Sequence, residues 1–146
     1  MSDYETVYAC AVRLLVRREH SSAELLQKLL QRAWPESICY EVLNACQDQG
    51  LQSDRRFAEH FVEVKHRAGW GPLYIEYQLK LKKIMPSLID QSVSSIPHDD
   101  WVMSGQRWLS KRLMTSDYVD KKGFQALLRR GFNQDLIQSI LKDKRD

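Results

Sequence analysis

Apolar positions recur along almost the whole chain at the three-and-four spacing of an amphipathic helix, and no segment alternates convincingly with period two. From Tyr4 the series Val7, Tyr8, Ala11, Leu14 and Leu15 marks one face of a first helix. A second opens at "SSAELL": Ser21 is placed to cap it, Glu24 stands at capping-box distance, and Leu25, Leu26, Leu29 and Leu30 form its stripe. Pro35 suits the first turn of a third, which carries Ile38, Val42, Ala45 and Cys46 and stops at Gly50. Ser53 is a natural cap for a fourth, with a stripe of Phe57, Ala58, Phe61, Val64 and Ala68. Gly69 suits a left-handed end, and Pro72 the first position of a fifth, which puts Trp70 and Ile75 at the spacing of a hydrophobic staple. Pro86 starts a short sixth with Leu88, Ile89 and Val93. Beyond a loop at 94–100, a seventh runs through Trp101, Gly105, Trp108, Leu109 and Arg112, and an eighth from about Asp117 to Arg130. A ninth, with Asn133 as cap, buries Leu136, Ile137, Ile140 and Leu141. The expectation is an all-α protein of about nine helices.

These helices repeat. Shifted by 98 residues, Leu29-Leu30 falls on Leu127-Leu128, Arg32 on Arg130, Ala33 on Gly131, Trp34 on Phe132 and Ile38 on Leu136. Shifted by 50, Leu25 meets Ile75, Leu29 meets Leu79, Trp34 meets Ile84 and Ile38 meets Leu88. The turn and the helix after it match in register as well as the helix before it. This predicts three tandem three-helix units, at 1–50, 51–98 and 99–146, stacked as an elongated array that can be curved. A single such unit has little core, and stacking supplies what each lacks.

The 146 residues hold 43% hydrophobic and 28% charged side chains, ordinary for a globular protein. No apolar run is long enough to cross a bilayer and the N-terminus begins acidic, so neither a membrane span nor a signal peptide is expected. Cys10, Cys39 and Cys46 form no CxxC and read as reduced thiols of a cytoplasmic protein. Net charge is +3, unevenly placed: 1–50 hold 5 Lys/Arg against 7 Asp/Glu, 51–98 hold 7 against 5, and 99–146 hold 10 against 7. The gradient suits contact with an acidic partner or a nucleic acid without requiring either.

No catalytic, metal or cofactor site is expected. Cys39 and Cys46, seven apart on an apolar stripe, have core spacing, and His20, His60, His66 and His98 form no ligand pair on one face. Neither phosphate-binding glycine signature is present, and the "GWGP" turn loses free N–H groups to its proline. Trp101, Trp108, Phe57 and Phe61 read as core. The basic residues are the candidates for partner binding: Arg17 and Arg18 with Arg13 on the first helix, Arg55, Arg56, Lys65 and Arg67 on the fourth, Lys80, Lys82 and Lys83 closing the fifth, Arg129 and Arg130 closing the eighth. Cations at helix C-termini also complement the helix dipole and need no partner. Their recurrence from unit to unit is what a basic track along a stacked array would need. Trp70 and Tyr74, at a tight turn beside the fourth helix, join the set, either as hot-spot contacts or as part of the staple with Ile75.

"AVRLLVRREHSSAELLQKLL" (11–30), "GLQSDRRFAEHFV" (50–62), "GWGPLYIEYQL" (69–79) and "LLRRGFNQDLIQSIL" (127–141) together resemble the RecX family of bacterial regulatory proteins, in order and spacing over nearly the whole chain. The resemblance implies a non-enzymatic helical protein that lies in the helical groove of the RecA recombinase filament and restrains its growth, ATP hydrolysis and strand exchange; a monomer is expected. Weak, non-specific contact with single- or double-stranded DNA is compatible with it. Direct DNA binding through helix-turn-helix-like units is the rival reading, although no helix concentrates Arg, Asn and Gln as a base reader would. Two departures from the family pattern bear on packing. Gln52 stands where an aliphatic residue is usual and needs polar partners if buried. Ala33 and Lys83 stand where glycine is favoured, so those helices either end differently or carry a left-handed residue at about 1 kcal/mol.

Overall fold

The computed structural model describes residues 2–112 and 119–145; side chains at 119–120 and 143–145 are not discussed. Among these residues the chain forms nine helices and no strand: α1 (Asp3–Arg17), α2 (Ser22–Leu30), α3 (Glu36–Asp48), α4 (Asp54–Arg67), α5 (Pro72–Leu81), α6 (Pro86–Ser94), α7 (His98–Ser110), α8 (Val119–Arg130) and α9 (Gln134–Arg145). The expected start of α8 near Asp117 lies outside the described residues. Two compact units result. The first comprises 1–58 with 82–84, the second 59–81 with 85–146, so the division falls within α4.

In the first unit α1, α2 and α3 pack against one another around Val7, Cys10, Ala11, Leu25, Leu29, Cys39, Val42, Leu43 and Cys46, each less than a tenth exposed. Cys39 and Cys46 sit in that core as their spacing predicts, and burial pushes both thiols above their ordinary pKa, which keeps them protonated and unreactive. In the second unit α5 packs on α6, and α7, α8 and α9 on one another. Trp101, Leu109, Leu127, Phe132, Ile137 and Ile140 are buried there.

The local chemistry follows the sequence closely. Ser21 and Glu24 form the reciprocal capping box of α2, Ser53 Oγ accepts from the Arg56 N–H, and Asn133 Oδ1 accepts from the Leu136 N–H at 2.9 Å. Gly50, Gly69 and Gly131 are left-handed, at φ +74°, +88° and +101°. At each, the residue after the glycine donates to a carbonyl five positions back: Leu51 to Cys46, Trp70 to Lys65, Phe132 to Leu127. This is the Schellman stop. The open question at 33 and 83 is also resolved. Ala33 and Lys83 both adopt φ +60°, so the three repeat-equivalent positions 33, 83 and 131 share one backbone shape, and two of them hold it without glycine. Lys83→Gly is therefore expected to stabilise the protein by about 0.5–1 kcal/mol, or roughly 2–3 °C in a thermal melt. A lower melting temperature would mean that the Lys83 side chain contributes more than its backbone costs.

Three expectations need correction. The inward stripe of α4 is Phe57, Ala58, Phe61 and Val62; Val64 is 44% exposed and Ala68 is also exposed. Phe57, Ala58 and Val62 are buried and Phe61 is half-buried, which centres the face between the 57/61 and 58/62 rows, about a quarter turn from Val64. The loop at 94–100 is shorter than expected, because Pro97 starts α7 at His98 and Asp99 and Asp100 favour its first turn. Trp70 stacks on Tyr74, ring centroids 3.9 Å apart at 16°, one residue before the staple partner expected, while Ile75 is fully buried.

Candidate interaction site

The predicted basic residues separate into those that hold the fold and those left exposed. In the first unit Glu24 collects several cations and donors: Arg18 Nη2 reaches it at 3.1 Å, Lys82 Nζ at 3.9 Å, and the Ser21 N–H donates to it at 3.3 Å. Desolvation opposes ionisation, yet the Ser21 N–H and the charges of Lys82 and Arg18 together hold the Glu24 carboxyl below its usual range. Arg56 is fully committed. Its Nε meets Glu19 Oε1 at 2.5 Å, while Nη1 and Nη2 donate to the carbonyls of Gly50 and Leu51 at 2.9 and 3.0 Å. It thus satisfies carbonyls beyond the end of α3. Arg17, Arg55 and Lys83 are exposed and have no hydrogen-bond or ion-pair partner among the described residues.

Buried polar groups lie behind this surface. Gln52 is 2% exposed, and its partners are supplied: Nε2 donates to the His20 carbonyl at 3.1 Å and to Asp54 Oδ1 at 3.0 Å, and Oε1 accepts from Gln47. Asp54 in turn accepts from the Ser22 N–H at 2.8 Å. His20 is 1% exposed, with Nδ1 3.0 Å from the Arg18 carbonyl and Nε2 3.0 Å from Lys28 Nζ. A carbonyl only accepts, so Nδ1 carries the proton and Nε2 accepts from the ammonium: the ring is neutral. Desolvation, with the nearby Arg18 and Lys28 charges, outweighs the carbonyl bond and lowers its pKa from 6.5. The unfolded chain therefore binds this proton more readily. Stability is complete above pH 6.5 and falls as the pH drops through the folded-state value, by up to about 1.4 kcal/mol per pH unit. Urea denaturation from pH 7 to 5 should show that slope, and His20→Asn should flatten it; equal slopes would assign the loss to other groups.

In the second unit the predicted residues meet at one place. The Arg130 guanidinium lies 3.5 Å from the centre of the Trp70 ring, which stacks on Tyr74, and 5.1 Å from that of Trp108. Its Nε donates to the Gly69 carbonyl at 3.1 Å and its Nη2 to that of Ala68 at 2.6 Å. Arg130 thus does for the end of α4 what Arg56 does for the end of α3. Arg67 pairs with Glu63 one turn back on α4. Lys65 lies 5.5 Å from the Phe61 ring centre, and Lys80 and Arg129 are exposed.

Two features escaped the sequence reading. Trp108, expected in the core, lines a hollow of about 690 Å³ with Arg67, Arg107, Lys111, Arg112 and Arg130. The signal available was Arg107, Lys111 and Arg112 at i, i+4 and i+5 on and just past α7. Leu73, Tyr77 and Leu81, at 48%, 59% and 58% exposure, form an outward apolar stripe on α5 opposite its buried Ile75 and Leu79. Apolar residues on both faces of α5 were the clue there.

Among the described residues no group of His, Cys, Asp and Glu could hold a metal ion, and no helix is long and apolar enough to cross a membrane. The class is a tandem three-helix protein that presents basic and apolar surface, with no catalytic constellation among the described residues. Residues 8–46 match the family model of the first RecX three-helix domain, and residues 53–93 that of the second. The chain is 39% identical over 137 residues to the regulatory protein RecX of Legionella pneumophila, covering 91% of each. It is 32% identical to that of Halorhodospira halophila, over 92% of this chain and 86% of the relative. A crystal structure of RecX from Lactobacillus salivarius superposes with a TM-score of 0.87 over 97% of this chain and 96% of that one, at 23% identity. The chain belongs to the RecX family of regulatory proteins, which are non-enzymatic.

Proposed function

We propose that this protein binds the RecA recombinase filament, within its helical groove, and restrains its ATPase, growth and strand exchange during DNA recombination and repair. The observation that carries this reading is the match to regulatory RecX proteins over nine-tenths of both chains. It acts by occupancy: a bound chain holds neighbouring recombinase protomers in one arrangement and opposes the changes that turnover requires. The contacts are drawn from residues the fold does not consume, namely Arg17, Arg55 and Lys83 in the first unit and Lys80, Arg129 and the α5 stripe in the second. Arg56 and Arg130 already hold carbonyls and are not counted among the contacts. The protein works as a cytoplasmic monomer.

The test is the recombinase's DNA-dependent ATPase rate on saturated single-stranded DNA, titrated with this protein. Inhibition is expected well below one chain per recombinase protomer. Arg17→Ala, Arg55→Ala and Lys83→Ala combined should raise the half-inhibitory concentration about tenfold, since each exposed contact is a modest charge-assisted one. Arg56 is left intact because its loss would disturb the fold. A flat ATPase trace would remove the reading.

A further inference from the structure

The hollow in the second unit is more basic than its structural duties require. Apart from Ser104 in the middle of α7, its lining comes from the C-terminal ends of three helices: Arg67, Ala68 and Gly69 at the end of α4, Arg107, Trp108, Lys111 and Arg112 at that of α7, and Arg130 at that of α8. Each helix end contributes about half a negative charge, which adjacent cations offset. Glu63 answers Arg67, and Arg130 serves the α4 carbonyls. Set against five cations, these leave a surplus of roughly two to three positive charges among the described residues, and none of the described residues that line the hollow is a carboxylate. The cations also crowd one another. Burial, and then the charge of Arg112, lower the Arg130 pKa, and the Arg112 guanidinium stands 5.0 Å from the Trp108 ring centre.

We propose that this hollow is a binding site for a phosphate-bearing polyanion of two to three charges. Guanidinium groups suit this ligand: their planar forks pair two N–H donors with two phosphate oxygens, and several forks around one concavity match consecutive phosphates better than a single carboxylate. The volume of about 690 Å³ is that of a small-ligand site and accommodates a run of two or three phosphates. The same chemistry has two sources, a free oligophosphate or the backbone of a single-stranded nucleic acid. The proposal is independent of the recombinase reading, and its test contains no recombinase.

Calorimetric titration of the full chain at low salt, with inorganic tripolyphosphate in one arm and a short oligothymidylate in the other, makes the test. At least one phosphate probe is expected to bind saturably and to change tryptophan emission, and Trp108→Phe should reduce that change. Binding of tripolyphosphate alone assigns a free oligophosphate; competition by the oligonucleotide assigns a nucleic-acid backbone. Arg107→Ala with Arg112→Ala should weaken binding by about tenfold or more. Both side chains are exposed and neither donates a hydrogen bond to another described residue, so the melting temperature should hold; Arg107→Glu alone is the second variant. Arg13→Ala with Arg32→Ala, exposed in the first unit, should bind as the parent does. Three results would overturn the proposal: no saturable binding of either phosphate probe, equal losses in the two double variants, or tighter binding of an oligoglutamate peptide than of either phosphate.

Discussion

Gly71→Ala is expected to cost about 3–4 kcal/mol and to lower the melting temperature by roughly 10 °C. At this point two stretches of backbone cross in contact. The Gly71 N–H donates to the Arg130 carbonyl at 3.0 Å and the Leu73 N–H to the Gly131 carbonyl at 2.9 Å. A Cβ on Gly71 would overlap the Gly131 carbonyl group and come within 2.5 Å of the Phe132 nitrogen. All the obstructing atoms are backbone, so no rotamer change relieves the clash. The segments must separate, and the two hydrogen bonds weaken with them. Gly131 is blocked in the reciprocal sense, since its Cβ would lie 2.5 Å from that of Tyr74. Gly50→Ala is the control. It meets nothing within 4 Å and pays only for its φ of +74°, about 1 kcal/mol. Chemical denaturation of the two variants separates close approach from backbone preference; equal losses would contradict the crossing.

Arg130→Ala is expected to cost about 3 kcal/mol, an unusual amount for a basic residue that the sequence reading placed in a partner surface. Two charge-assisted hydrogen bonds to the Ala68 and Gly69 carbonyls would be lost, together with the guanidinium face on Trp70. The like charge of Arg112 returns part of the loss, because Arg130 is held there against repulsion and burial. Arg130→Lys should recover little, since an ammonium cannot stack flat on the indole while reaching both carbonyls. Equilibrium unfolding checks this. Arg129→Ala, its exposed neighbour, should change stability by no more than about 0.5 kcal/mol. Matched effects at 129 and 130 would mean that Arg130 is a surface cation after all.

The architecture was legible because each unit repeats the same local chemistry. The capping box at Ser21 and Glu24, the proline starts at 72 and 86 and the glycine stops at 50, 69 and 131 are decided within a few residues of themselves. The 98-residue shift sets Ala33 opposite Gly131, and both positions are left-handed. What sequence could not rank was the cations. Arg55 and Arg56 are neighbours on one helix, as are Arg129 and Arg130, and composition treats each pair alike. Only tertiary structure brings the carbonyls of residues 50, 51, 68 and 69 to one member of each pair. Gln52 carries the same lesson, because the His20 carbonyl that its side chain reaches comes from the connection between α1 and α2, 32 residues away. On α4 the helical period fitted both Val62 and Val64, and packing chose the former.

The central claim is that this chain recognises a recombinase filament rather than DNA. The direct measurement is fluorescence anisotropy of the labelled protein at near-physiological salt, titrated in parallel with recombinase filaments assembled on single-stranded DNA and with the same DNA bare. The account predicts at least about tenfold tighter binding to the filament, weakened by the combined Arg17, Arg55 and Lys83 changes. Equal affinity for filament and bare DNA, with both curves moving together as salt is raised, would contradict it and leave a direct DNA-binding protein on a RecX fold.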